Sequence, residues 1–227
     1  MASPSTRIVD HIVYLAPVGA LEHVSQTFRD LGFTVIPGGT HADGLTANTL
    51  VILPDGVYLE LIAFLRPATD YPPDHARSRH QWANKPPGFV AYAFLGAPDA
   101  VPSLPRGINA RLASAGSAGR YKEGVRGGRT RGDGERLEWE ICAPEGWAER
   151  VDGMGRPFYC GDLTPRGRRV PEDAAHRAHA NRAVGIAHLK VLTARGTFDA
   201  HSKALGAILD GPPDEVVSET EHAWALD

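Results

Sequence analysis

The spacing of apolar residues changes from segment to segment at the start of the chain. IVDHIVYLA is a short apolar run and predicts a buried strand. The next segment has an apolar stripe at spacings of three and four, which predicts an amphipathic helix ending near Gly32: Leu21, Val24, Phe28 and Leu31. FTVIPGG, TANTLVILPDG and VYLELIAFL then predict three strands, the first two stopped by Pro-Gly-Gly and Pro-Asp-Gly. Residues 7–66 are thus a predicted β-α-β-β-β module.

The same order of elements begins again after an interruption. Residues 67–87 hold five prolines with little periodicity and are interpreted as a linker. Residues 88–163 predict a second β-α-β-β-β module, with strands in FVAYAFLG, ERLEWEICAP and RPFYCGDL, a helix in INARLASAG and a hairpin segment in YKEGVRGGRTRGDG. Residues 164–183 form a basic loop without apolar periodicity. Residues 184–227 predict a partial third β-α-β unit, and the fold class is α+β.

The third unit resembles the beginning of the first. Alignment of IVDHIVYLA with GIAHLKVLT places His11 opposite His188, and each predicted strand precedes a helix. Glu60 follows His11 by 49 residues, and the same spacing from His188 runs beyond residue 227. The last two strands of a complete third unit are therefore absent from the sequence. We expect either an abbreviated unit or a fragment, and the sequence leaves both open.

Composition narrows the class of protein. The 227 residues are 42% hydrophobic and 22% charged, which is typical of a soluble globular chain. A net charge of −3 gives no basic excess for a nucleic-acid partner. No apolar run approaches the roughly 18–20 residues of a membrane span, and the polar first residues are not a signal peptide. With only Cys142 and Cys160, the sequence predicts no disulfide framework and a cytoplasmic protein.

Polar residues in the first predicted strand indicate a functional site. Asp10 and His11 lie in the middle of an otherwise apolar run. A buried imidazole without a partner is costly, so we expect His11 to have a hydrogen bond, a metal ion or a substrate beside it.

Several motifs, in order, resemble a glyoxalase-like protein of the vicinal oxygen chelate superfamily, which includes glyoxalases, bleomycin-resistance proteins and extradiol dioxygenases. They are Asp-His in the first strand, then GGTHADGLTAN, YLELIAF, PPGFVAYAF, GGRTRGDGERLEWEI and PFYCGDLTPR. The resemblance covers about residues 7–170. It implies paired β-α-β-β-β modules whose mixed sheet curls into a cup around a divalent metal, with the partial third unit at the C-terminus.

The resemblance also implies metal ligands. His11 and Glu60 are the candidates from the first module, and Zn, Mn or Fe would suit an imidazole and a carboxylate. The second module offers only Val90 or Ala91 near the position of His11, so His188 is the candidate for a second imidazole. The alternative is that His11 is held by Asp10 or Glu60 and that no cofactor is bound.

Other residues are candidates for acid–base catalysis or substrate binding. His41 is predicted to be a general acid or base in a loop after two glycines, and Asn48 to orient a carbonyl group, unless both only fix that loop. Arg129 would anchor an anionic group, or lie solvated beside a hairpin turn. Trp139 and Tyr58 would form walls of the pocket, or pack in the core.

The resemblance implies a glyoxalase-like small-molecule enzyme acting on a carbonyl- or enol-bearing substrate. Its catalytic residues would be His11, Glu60 and His41, and its type an isomerase, a lyase or a ring-cleaving dioxygenase with iron held by His11, His188 and Glu60. The alternative is a non-catalytic protein that binds or sequesters a small molecule, as bleomycin-resistance proteins do. We expect no nucleic-acid or membrane partner, and a homodimer is left open.

Overall fold

The computed structural model describes residues 7–100, 103–147, 155–191, 196–211, 215–217 and 223–225. The first module contains β1 (Val9–Leu15), α1 (Leu21–Asp30), β2 (Ile36–His41), β3 (Thr46–Ile52) and β4 (Tyr58–Phe64). The second contains β5 (Gly88–Leu95), α2 (Leu104–Ser114), β6 (Val125–Thr130), β7 (Arg136–Cys142) and β8 (Phe158–Asp162). These elements follow the order that the apolar spacing predicts.

The eight strands of the two modules form one closed barrel, in the order β1-β4-β3-β2-β6-β7-β8-β5. Each module contributes one parallel pair, β1 with β4 and β5 with β8. The modules meet at two antiparallel seams, where β1 pairs with β5 and β2 pairs with β6. The predicted α+β class with a curved mixed sheet is confirmed, and the curvature continues to full closure.

Among the described residues, alternation along the strands separates a large outer and a large inner apolar cluster, and a smaller third cluster surrounds Val170. On β1, Ile12 belongs to an outer cluster that the helices cover, whereas Val13 belongs to an inner cluster inside the barrel. The outer cluster includes Ile108 of α2 and Leu205 of the C-terminal helix. His11 is two residues from Val13 on the same strand and therefore points into the barrel.

The strand β2 differs from its prediction, because it runs through Gly38 and Gly39 instead of stopping before them. A Cβ atom on Gly38 would lie 1.9 Å from Asn48 Oδ1, and one on Gly39 would lie 2.2 Å from the carbonyl oxygen of Thr130. Glycine is thus required for close approach of neighbouring groups and not for a turn. His41 consequently ends a strand rather than lying in a loop.

The C-terminal part contains α3 (Arg166–Arg169), α4 (Ala174–Arg177), α5 (Phe198–Leu209) and the paired strands β9 (Glu215–Val217) and β10 (Ala223–Ala225). The described residues of GIAHLKVLT, 185–191, form no strand. Leu189 and Val191 pack in the outer core instead. A closed barrel has no free edge at which such a strand could pair, which explains the difference.

No helix among the described residues is long and apolar enough to span a membrane.

Candidate functional site

A cavity of about 210 Å³ lies inside the barrel. Every predicted site residue except His188 lines this cavity: His11, His41, Asn48, Tyr58, Glu60, Arg129 and Trp139. Five of these seven residues come from the first module. The inward positions of β1, β3 and β4 therefore bring together polar groups that are far apart in sequence.

The carboxylate of Glu60 lies between two imidazoles. Its Oε2 is 3.7 Å from His11 Nε2, and its Oε1 is 3.6 Å from His41 Nε2. Asn48 Nδ2 donates to Oε1 at 2.6 Å. Burial alone would raise the pKa of Glu60, but the two histidines and the amide of Asn48 lower it to about 2. Glu60 is therefore ionised near neutral pH.

His11 is held by its neighbour in sequence. Its Nδ1 lies 2.7 Å from Asp10 Oδ2, and its ring stacks on Tyr58 at 4.7 Å between centroids. Burial disfavours the charge of Asp10, but Arg169, His11 and Arg166 hold the pKa of Asp10 well below its usual range. Because Asp10 is ionised, His11 Nδ1 must carry the proton, and Nε2 faces the cavity.

The partners of Asp10 come from a segment interpreted as a basic loop. Arg169 donates to both oxygens of Asp10, at 2.9 and 3.2 Å, and Arg166 donates to Oδ1. Arg169 also donates to Asp162 and Tyr58. Sequence reasoning missed this role, although two acids set in buried strands, Asp10 and Asp162, required counter-ions that the basic run at 166–169 could supply.

His41 is oriented by a hydroxyl group and an aromatic ring. Its Nδ1 lies 2.7 Å from Thr46 Oγ1, and its ring meets the edge of Trp139 at 6.0 Å between centroids. The site end of β2 pairs with β6, so the seam between the modules fixes the position of His41.

Asn48 and Arg129 form a buried polar pair on the cavity wall. Asn48 Oδ1 accepts hydrogen bonds from the backbone N–H of Gly39 and from Arg129 Nη1, at 3.1 and 3.0 Å. The other terminal nitrogen of Arg129 donates to the carbonyl oxygen of Arg169. Arg129 is only 3% exposed and is hydrogen-bonded to Asn48. It is therefore not solvated beside a hairpin turn, which was one of the two alternatives that the sequence left open.

Aromatic side chains form another part of the cavity wall. Trp82 meets Trp147 at 4.9 Å between ring centroids, and Trp147 meets Phe158 at 4.8 Å. Trp82 lies in the segment 67–87, together with His80 and Gln81, which also line the cavity. Burial lowers the pKa of His80 to about 4, so this imidazole is neutral near pH 7. The predicted linker 67–87 therefore also supplies side chains to the cavity wall.

Cys160 also lines the cavity, and burial raises the pKa of its thiol well above the usual value. A thiol of this kind is a poor nucleophile. Cys142 and Cys160 are both free.

The residues implied as metal ligands are not brought together as a complete set. His188 is exposed and does not line the cavity, because its neighbours Leu189 and Val191 pack against the outside of the barrel. In the part of the chain that the structure describes, no group of three or more His, Cys, Asp or Glu side chains is arranged to hold a metal ion. The ligand set of His11, Glu60 and His188 therefore does not fit a metal, and the iron centre proposed for a dioxygenase is not formed.

Comparisons with known proteins bear on the fold and on the family. A family model described as a glyoxalase-like domain matches residues 9–208. The curated proteins include no match. A solved structure of a hypothetical protein from Staphylococcus aureus has a TM-score of 0.63 at 13% identity, over 95% of this chain and 81% of that chain. At this identity the likeness concerns the fold alone.

Two further solved structures superpose less well on this chain. Methylmalonyl-CoA epimerase from Mycobacterium tuberculosis has a TM-score of 0.38 at 16% identity, over 73% of this chain and 95% of that chain. A fusion of a xylose isomerase-like TIM barrel with 4-hydroxyphenylpyruvate dioxygenase has a TM-score of 0.43 at 15% identity, over 99% of this chain and 31% of that chain. The match over residues 9–208 decides the family: the chain belongs to the glyoxalase-like domain family.

Proposed function

We propose that this protein is a small-molecule enzyme that moves a proton at a carbon atom next to a carbonyl group. The observation that carries the proposal is the ionised Glu60 between the Nε2 atoms of His11 and His41, at 3.7 and 3.6 Å. These distances are too long for direct hydrogen bonds, and the three groups line the cavity, where a substrate atom can approach all of them. Isomerase or lyase chemistry would use such an arrangement.

His11 is the proposed base. Asp10 fixes the proton on Nδ1, so the lone pair of Nε2 is directed into the cavity. When Nε2 takes a proton from the substrate carbon, the imidazolium is stabilised by Asp10 on one side and Glu60 on the other. Glu60 thus acts as an electrostatic partner of the base.

His41 is the proposed acid. A Thr46 hydroxyl that donates to Nδ1 leaves the proton on Nε2, facing Glu60 and the cavity. His41 would give this proton to the carbonyl oxygen as the electrons of the broken C–H bond form the enol double bond. Return of the enol proton to His41, together with delivery of a proton from His11 to a different carbon or to the other face of the same carbon, completes an isomerisation without any external reactant.

The walls of the cavity indicate the class of substrate. Trp82, Trp139, Trp147 and Phe158 offer flat apolar surfaces, which suit an aromatic or other planar apolar group. Arg126 is exposed and lines the same cavity, so it is better placed than the engaged Arg129 to meet an anionic substituent. We therefore expect a carbonyl compound with an apolar ring.

The test is deuterium incorporation. A panel of aromatic and aliphatic ketones and keto acids is incubated with the protein in deuterated water, and loss of the proton next to the carbonyl is followed by ¹H NMR. We expect exchange of at least one aromatic member, and a loss of about 100-fold or more in His11→Gln, because a general base typically contributes that much. The control is Arg106→Ala on α2, a side chain 75% exposed, which should exchange like the wild type.

The second candidate is a binding protein that sequesters an aromatic compound without turnover. The observation that favours it is the aromatic wall. The described residues of the second module and of segment 67–87 that line the cavity include no carboxylate, and their one imidazole is the neutral His80. Quenching of tryptophan fluorescence by a panel member that shows no exchange in wild type or His11→Gln would support binding and contradict the enzyme.

A further inference from the structure

Arg169 has an unusual number of partners for a buried side chain. It is 3% exposed and ends α3, outside both modules. Its guanidinium donates to both oxygens of Asp10 and to both oxygens of Asp162, the latter at 2.5 and 2.9 Å. Asp10 lies on β1 and Asp162 ends β8, so one side chain from the C-terminal segment joins the two modules.

The contacts of Arg169 lead to His11 by two routes. Asp10 Oδ2 accepts from Arg169 Nη1 at 2.9 Å and is also the oxygen that meets His11 Nδ1 at 2.7 Å. Arg169 Nη1 in addition donates to the hydroxyl of Tyr58 at 2.7 Å, and the Tyr58 ring stacks on His11 with an interplanar angle of 16°. Arg169 thus contacts both the acceptor and the stacking partner of the imidazole, whereas Arg166 contacts only the acceptor, through Asp10 Oδ1.

Stability alone does not explain this network. Replacement of a buried ion pair by apolar groups is often neutral or stabilising, whereas fixed geometry is the better attested use of such a pair. A forked guanidinium can hold two carboxylates in one plane, and a lysine ammonium cannot.

We propose that Arg169 is a positioning residue, which locks Asp10 and Tyr58 and thereby holds His11 with its Nε2 directed into the cavity. Its catalytic consequence rests on the proposed function, but the positioning itself does not. Arg169 acts through Asp10, as the second layer of residues around a reactive imidazole commonly does.

The test observes His11 directly in the full-length chain. With ¹⁵N-labelled histidine, the Nδ1–H signal of His11 is assigned by its absence in His11→Gln. In Arg169→Met we expect this signal to disappear through exchange with solvent. In Arg169→Lys, which keeps the charge but loses the fork, we expect exchange about tenfold faster than in wild type, as the loss of one hydrogen bond to a charged group implies.

The matched control is Arg111→Met. Arg111 lies on α2 and donates to the carbonyl oxygens of Ala207 and Ile208 on α5. It joins these two helices and does not line the cavity. This variant is expected to lose stability while the His11 signal stays unchanged, which separates positioning from general destabilisation. Circular dichroism identifies the folded variants, and Arg169→Lys decides the question if Arg169→Met does not fold.

An unchanged His11 signal in the folded Arg169 variants, or the same loss in Arg111→Met, would overturn the positioning role. The proposed function fails by a different result, namely the absence of deuterium exchange in the wild type. The positioning role can thus be confirmed when the proposed reaction is contradicted, and the proposed reaction can be confirmed when the positioning role is contradicted.

Discussion

The two modules place corresponding strands around one cavity, yet they line it with different chemistry. His11 on β1 lies opposite Ala93 on β5 across the seam. Glu60 lies on β4, the last strand of the first module, whereas β8, the last strand of the second module, lines the cavity with Phe158 and Cys160. The first module therefore supplies Glu60 and two imidazoles, and the second supplies two arginines and much of the aromatic and aliphatic wall. A repeated fold does not require a repeated site.

This difference affects how each module is stabilised. Most inward residues of the second module are apolar and pack in the inner cluster, and its buried Arg129 is held by Asn48 and by the carbonyl oxygen of Arg169. The first module buries Asp10 and His11, and it has no cation of its own beside Asp10, so Arg166 and Arg169 reach it from the C-terminal segment. Buried charges on one module thus make a distant segment part of the site.

The largest expected effect on stability is that of Asp10→Asn. This change removes one of the two carboxylates that Arg169 and Arg166 share and leaves Asp162 as the other, and the loss of one member of a buried pair costs about 3–5 kcal/mol. The free energy of unfolding from urea titration measures it. Cys160→Ala, the buried comparison in the second module, should cost only about 1 kcal/mol. Equal losses would mean that the modules do not differ in this way.

The next effect concerns pH. Glu60 has a folded pKa of about 2, below its ordinary value of 4.5, so its contribution to stability is present above pH 4.5 and is lost as the pH falls towards 2. In Glu60→Gln we expect this loss to be absent, a difference on the order of 3 kcal/mol across that window. Urea unfolding at several pH values measures it. Glu138→Gln in the second module, a side chain 38% exposed, should keep the pH dependence of the wild type.

The smallest effect is that of Gly38→Ala. The added Cβ would clash with Asn48 Oδ1, and its nearest backbone neighbour would be the carbonyl oxygen of Asn48 at 2.7 Å, so the cost should be about 1–3 kcal/mol. Gly132→Ala, in the hairpin of the second module, meets no atom within 4 Å and should be nearly neutral. Thermal unfolding compares the two variants, and a neutral Gly38→Ala would contradict the close packing of Gly38 against Asn48.

Much of the site could be predicted because strand alternation is local. His11 and Glu60 lie at inward positions of β1 and β4, and the apolar residues on either side of each are enough to indicate burial. His41 was predicted as a catalytic group, but its proximity to Glu60 depends on how β2 passes through Gly38 and Gly39. That path results from close approach to Asn48 and Thr130, which no local pattern encodes.

The sequence by itself determined the order of elements, the α+β class and the polar residues of the first module, since apolar periodicity acts over a few residues. Only the tertiary structure decided that the barrel closes, that His188 stays outside the cavity and that Arg169 holds Asp10. The last contact joins residues 159 positions apart. The physical reason is that ion pairs and cavity walls join residues far apart in the sequence. A guanidinium can bind any carboxylate, and the folded chain decides which carboxylates lie within its reach.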